Sequence, residues 1–193
     1  MTDAELMGAI AAKYGDAITA ATAGTSWPPE FLAALTANES GLDPTESRFE
    51  PTVAGSLLML LIGRRANFGA ITQKTLANYF PPNFTPDQFA GTLVNLCSSW
   101  GPTQIMGYQA LARGYLLSEL TTNFAKHYKH AVEILADFQK QFRLPDIDPS
   151  SAEAYFRCWN AGNPNGQTYD PQYVPNGLLR MQLYAADLEE TQS

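Results

Sequence analysis

Apolar residues recur every three or four positions along most of the chain, the spacing of helices that bury one face. The clearest stripe is Phe124, Tyr128, Ala131, Leu135, Phe138 and Phe142, which predicts an amphipathic helix over Thr122–Phe142. Its length and aromatic load suit a long central helix on which others pack. A first helix is expected over Asp3–Tyr14, capped by Thr2 or Asp3, with a small-residue loop over Ala21–Ser26. Pro28-Pro29 set the first turn of a second helix. Thr52–Ile62 reads as helical, with Leu57, Leu58, Leu60 and Leu61 packed. Phe80–Phe84 is a turn, and Thr85-Pro86-Asp87-Gln88 opens a helix towards Cys97 with a cap-then-proline signature. Leu144–Pro149 reads as a linker, Ser150 or Ser151 as the cap of a helix through Trp159, and Asn160–Asn165 as a loop. A last helix is expected near Asn176–Leu188. No region is rich in strands; a short hairpin between Asp43 and Thr52 is the most that the pattern allows. The expected fold is mainly α: a single helical domain over 1–193 around a long central helix, with little or no sheet.

Composition narrows the function classes. With 193 residues the chain can bury a core without staples. No apolar run approaches the length of a membrane span; the longest, Leu57–Ile62, ends at Gly63-Arg64-Arg65. The acidic start, Met1-Thr2-Asp3-Ala4-Glu5, does not read as a secretory leader. A net charge of −7 argues against nucleic-acid binding and against adhesion to anionic membranes. Arg64-Arg65 and Lys126/Lys129 are too small to form basic patches. Cys97 and Cys158, with no local pattern, read as two buried thiols rather than a disulfide. His127 and His130 lie three apart on the long helix, but no third or fourth ligand is patterned nearby, so no metal and no cofactor is expected.

One acidic side chain breaks the pattern. Phe31, Leu32 and Leu35 form a buried helical stripe, and Glu39 falls on it, four residues after Leu35. Gly41 and Pro44 then stop the helix. A carboxyl on a core-facing stripe loses water and its pKa rises, as a general acid near neutral pH requires. The alternative is a glutamate at a frayed helix end that simply reaches solvent.

Three distant segments share one family's signature. Asn38-Glu39-Ser40-Gly41-Leu42-Asp43-Pro44 resembles the acid-bearing motif of the soluble lytic transglycosylases and goose-type lysozymes of the lysozyme-like superfamily. Ser99-Trp100-Gly101-Pro102-Thr103-Gln104-Ile105-Met106-Gly107 resembles their Gly-x-x-Gln-x-Met loop. Ala154-Tyr155 through Trp159-Asn160-Ala161-Gly162, with Tyr173-Val174 downstream, resembles their third motif. Leu120, Asn123, Ala131 and Leu135 echo the helix between the last two motifs. The resemblance covers about residues 28–185 and implies a lysozyme-like α+β fold with little or no sheet and a substrate cleft.

This resemblance implies an enzyme cleaving the β-1,4 bond between N-acetylmuramic acid and N-acetylglucosamine in peptidoglycan. Glu39 matches the catalytic acid. Glu50, in Ser47-Arg48-Phe49-Glu50-Pro51, is the candidate second carboxylate: a water-activating base, a substrate-positioning group, or the salt-bridge partner of Arg48 or Arg64. Asp43 and Glu46 read as solvated loop acids. Gln104 matches the cleft glutamine, which either grips an acetamido group, holds the acid, or is structural. Ser99 and Trp100 share its loop, and Trp100 either stacks on a sugar or packs in the core. Ile105 and Met106 are expected as an apolar floor beneath Glu39. Trp159 replaces the family's usual tyrosine, keeping the aromatic and losing the hydroxyl. Asn160 binds substrate or braces its loop, and Gly162 lets the backbone approach the sugar closely. Tyr173, and less directly Tyr169, are candidates to hydrogen-bond Glu39 or the sugar. His127 is expected to be half-exposed.

Hydrolysis (a muramidase) is slightly favoured over the lytic transglycosylase outcome, in which the substrate's own 6-hydroxyl displaces water. A rival from another class is a silent peptidoglycan-binding or virion structural domain. The expected protein is a monomer whose partner is the glycan strand. Without a leader it would be made in the cytoplasm and reach the wall by phage lysis, on a virion, or by dedicated secretion.

Overall fold

The computed structural model describes residues 1–80 and 82–192. The chain opens with α1 (Asp3–Thr22) and α2 (Pro29–Glu39). A smaller segment follows: β1 (Ser47–Phe49), α3 (Pro51–Leu61), β2 (Asn67–Phe68), β3 (Ile71–Thr72), α4 (Gln73–Ala77), α5 (Pro86–Cys97), β4 (Ser98–Trp100), β5 (Ile105–Met106) and α6 (Gly107–Ala112). The chain then returns through α7 (Glu119–Thr122), α8 (Phe124–Phe142), α9 (Ala152–Ala161) and α10 (Tyr173–Gln192). The architecture is mainly helical, and no described helix is long and apolar enough to cross a membrane.

Local chemistry accounts for the helix starts. Thr2 with Glu5, and Thr85 with Gln88, each form a reciprocal capping box. Asn123 caps α8 by accepting from Lys126 N–H. Pro29 opens α2 and Pro51 opens α3, where a missing N–H leaves no bond unmade. Ser151 stands at the start of α9 as expected, but its side chain makes no capping bond to the helix. Asp148 instead accepts from the amides of Ser150 and Ser151 at 2.7 and 2.8 Å.

Two apolar cores divide the molecule into lobes. The larger joins α1, α2, α8, α9 and α10 around Phe31, Leu35, Tyr128, Tyr155, Phe156 and Tyr184. The smaller joins α3–α6 around Leu57, Leu60, Ile71, Leu76, Leu96 and Cys97. The helix buried on every side is α2, in which all residues from Phe31 to Ala37 are buried. The expected centre, α8, is instead one-sided: exposed Lys126, Lys129 and Lys140 face out while Tyr128, Ala131 and Leu135 face in. Its buried stripe also takes in His127 and His130, both fully buried, so the expectation of a half-exposed His127 fails. Leu58, expected in the core, is largely exposed.

Further differences are local. α1 runs on to Thr22, because the alanine- and threonine-rich stretch read partly as loop continues the helix and buries Ile18 and Thr22. α10 begins at Tyr173, since Pro175 falls in its first turn, where proline is tolerated. The hairpin anticipated between Asp43 and Thr52 is a strand of a larger sheet. β1 pairs antiparallel with β4, and β4 with β5, matching Arg48 to Ser99 and Ser99 to Met106. The turn expected at Phe80–Phe84 contains Pro81, which lies outside the described residues. Cys97 and Cys158 are both buried free thiols.

Candidate active site

The sheet and the end of α2 bring the motif residues to one cleft between the lobes. Glu39 is the last residue of α2. Ser40 caps the helix and Gly41 takes a left-handed φ of 60°, its amide donating to Thr36 O at 2.9 Å. This sharp stop leaves the Glu39 carboxyl at the cleft wall. Opposite stands Tyr173, at the start of α10, whose hydroxyl donates to Glu39 Oε1. The two helix ends are tied beside that contact. Asn38 Nδ2 donates to Tyr173 O at 2.8 Å, Arg180 Nη1 donates to Asn38 Oδ1 at 2.7 Å, and Arg180 Nε donates to Asp3 at 2.8 Å.

Burial pushes the Glu39 pKa up to about 7. The Tyr173 hydrogen bond and the Arg48 charge pull it down, and the Glu46 carboxylate pushes it up. Desolvation wins because the carboxyl's hydrogen-bond partner is a neutral hydroxyl, and Arg48 acts through its charge without a hydrogen bond. Tyr173 is itself raised well above 10, first by burial and then by the Glu39 charge, so it stays a proton donor throughout the working range.

The cleft measures about 520 Å³ and its lining includes Asn38, Glu39, Glu46, Arg48, Glu50 and Val53. Ser99, Gln104, Met106, Trp159, Asn160, Tyr169, Asp170 and Tyr173 complete it. Gln104 has a φ of 55°, rare for a side chain other than asparagine or aspartate and a mark of a constrained turn. Its amide is held by protein at both ends. Oε1 accepts from Ser99 Oγ at 2.6 Å, and Nε2 donates to Glu46 O at 2.9 Å and Gly101 O at 3.0 Å. Gln104 therefore braces the sheet against the Glu46 loop, and none of these bonds reaches Glu39.

Glu50 lines the cleft and pairs with Arg48 at 3.0 Å. The Arg48 guanidinium also lies 5.9 Å from the Tyr169 ring, which is 91% exposed at the cleft mouth. Asn160 accepts from the Tyr169 amide at 3.2 Å and so braces its loop. Trp159 keeps the aromatic role: it lines the cleft, donates to Thr103 O at 2.9 Å and meets Phe138 edge-on. Ile105 is fully buried, and Met106 reaches the cleft wall.

Two expected contacts are not in the cleft. Trp100 packs against the larger core, donates to Asn95 O at 2.9 Å and is not among the residues that line the cleft. Gly162 caps α9 with φ 77° and nothing near its missing side chain, so it serves as a helix stop rather than a close approach to a ligand. Asp43 is a loop acid as expected, turned onto the Thr45 amide and hydroxyl. Glu46, by contrast, helps wall the cleft and acts on Glu39 through its charge. Asn38, Arg180 and Asp170 were not anticipated; Asn38 lay inside the quoted motif beside the acid.

A second depression of about 550 Å³ lies over Tyr108, Arg113, Ile134, Asp137 and Phe138. There Arg113 and Asp137 pair with each other. Among the described residues no three His, Cys, Asp or Glu are placed to hold a metal ion. No protein-family model, no curated protein and no solved structure matches the chain. The chemistry of this cleft therefore carries the functional reading.

Proposed function

We propose that the protein is a lysozyme-like glycosidase that cleaves the β-1,4 bond between N-acetylmuramic acid and N-acetylglucosamine in peptidoglycan. The observation that carries the reading is Glu39: a carboxyl that burial holds protonated near neutral pH, oriented by Tyr173, in an open cleft sized for sugars. Its proton passes to the glycosidic oxygen as the C1–O bond breaks and the sugar ring takes on oxocarbenium character. The resulting Glu39 carboxylate stabilises that positive charge across the cleft. The motif resemblance supports the same substrate, through the order of Glu39, Gln104, Asn160 and Tyr173 along the chain.

Two fates of the intermediate are open to these residues. In the hydrolytic one, water attacks C1 and a second carboxylate, Glu50, takes its proton. In the other, the substrate's 6-hydroxyl attacks C1, returns its proton to Glu39 and closes a 1,6-anhydro ring. Glu50 already pairs with Arg48 at 3.0 Å, so the hydrolytic fate requires a Glu50 oxygen to turn from the guanidinium towards water. The partner in both is the glycan strand, engaged by a monomer.

Glu39→Gln keeps the size and the hydrogen bond from Tyr173 but removes the transferable proton. Wall-clearing activity should fall by about 10²–10⁴ while circular dichroism and thermal unfolding show an intact fold. A variant that clears walls at the wild-type rate removes Glu39 as the acid, whereas a wild-type protein that leaves walls intact points to the silent binding domain. Mass spectrometry of the wild-type products then separates the two fates, since anhydro ends are one water lighter than reducing ends.

A further inference from the structure

His127 is fully buried, and neither the proposed reaction nor the motif resemblance uses it. Its Nε2 lies 3.1 Å from the Thr103 amide nitrogen and 2.8 Å from the Thr103 hydroxyl. An amide can only donate, so Nε2 is the acceptor and the ring proton is on Nδ1, on the side of the Leu120 carbonyl. The ring is neutral: burial, helped by the nearby His130, lowers its pKa to about 3.

The segment that His127 grips is the turn 101–104. Every residue of that turn is held. A side chain at Gly101 would stand 2.1 Å from Leu120 O and 2.7 Å from the imidazole, so turn and ring are fitted against each other. Pro102 O accepts from Ser40 Oγ at 2.7 Å, one residue from Glu39. Thr103 O accepts from the cleft residue Trp159. Gln104, strained at positive φ, turns back onto Gly101 O. Thr103 itself is fully buried, so without His127 its amide would have neither water nor partner.

We infer that His127 is a positioning residue: as a neutral acceptor it fixes the turn 101–104, and through it places Gln104 and the Ser40–Glu39 helix end in the cleft. The inference rests on the glycosidase reading, and it adds a requirement for the Nε2 lone pair that packing alone would not impose.

The test compares His127→Leu, which fills the space without an acceptor, with His127→Gln, whose Oε1 reaches the Nε2 position. His127→Asn serves as a third variant, too short to reach it. Turnover of soluble glycan strands is measured per folded molecule, together with the ¹⁵N shifts of the Thr103 amide and the Gln104 side-chain amide. The leucine variant should lose about tenfold or more in kcat with little change in KM, because a displaced cleft group costs the transition state more than the bound state. Both NMR signals should move in it. Glutamine should restore rate and shifts; asparagine should not. If leucine prevents folding, the glutamine–asparagine contrast decides alone. Wild-type kcat and unmoved Gln104 resonances in the leucine variant, or equal behaviour of glutamine and asparagine, overturn the inference. A wild-type protein that leaves glycan strands uncut would sink the glycosidase reading instead, while the NMR comparison still decides whether His127 sets the turn.

Discussion

Glu39 owes its chemistry to a contest between burial and two modest stabilisers of its charge, the Tyr173 hydroxyl and the Arg48 guanidinium. Because the acid must be protonated to act, kcat/KM should fall as pH rises through about 7. Tyr173→Phe removes a hydrogen bond that favours the carboxylate, so the alkaline limb should move to higher pH, by about one unit. A pH–rate profile on soluble glycan strands checks this, and a limb that stays put or moves down contradicts the role given to Tyr173. The acid itself was legible in the sequence, since its place on an apolar helical stripe forces desolvation whatever surrounds it. Tyr173 was legible only through the motif resemblance, because a contact across 134 positions leaves no local trace. Trp100 misled because an indole beside a cleft motif has two good uses, and here the backbone of Asn95 takes its N–H.

At the scale of elements, helix ends do most of the placing. α2 ends on Gly41 and presents Glu39; α9 ends on Gly162 and releases the loop that carries Tyr169. Gly162 has a left-handed φ of 77° and open space around its α-carbon, so Gly162→Ala should cost about 1 kcal/mol in stability from backbone conformation alone. Activity per folded molecule should be unchanged, which a urea titration and a turnover assay would establish together. A large loss of turnover at full folding would restore the close sugar contact that the sequence suggested. Caps and prolines announced the starts of α1, α2 and α5, because those signals act within one turn of helix. The sheet was invisible for the opposite reason: its strands are two or three residues long, and α3, α4 and α5 lie between Arg48 and its partner Ser99 along the chain. Periodicity needs more residues than that to register. It did register on α8, but the same stripe gave no sign that α2, shorter and buried all round, would take the centre.

Across the whole molecule, three buried titratable groups make stability depend on pH in opposing senses. His127 and His130 are lowered from 6.5 to about 3 and about 4, so below pH 6.5 the unfolded chain takes up two protons that the folded chain refuses. Glu39 is raised from 4.5 to about 7, so between those values the folded chain holds one proton that the unfolded chain has released. Stability therefore rises with pH where the histidines dominate and falls with pH where Glu39 acts. Between about pH 4.5 and 6.5 the balance is roughly one proton in favour of the unfolded chain, a gain of about 1.4 kcal/mol per pH unit as pH rises. The open cleft screens Glu39 more than the closed core screens the histidines, so the Glu39 share is the smaller. Urea midpoints should climb across this range and level off near pH 7, where the histidine and Glu39 contributions cancel. Glu39→Gln should steepen the climb and gain stability at pH 8 relative to wild type, as expected when a site group is held in its costly form for function. Midpoints that stay level from pH 4.5 to 6.5 would mean that the histidines charge freely in the folded protein, and the neutral acceptor that holds the turn 101–104 would be lost with them.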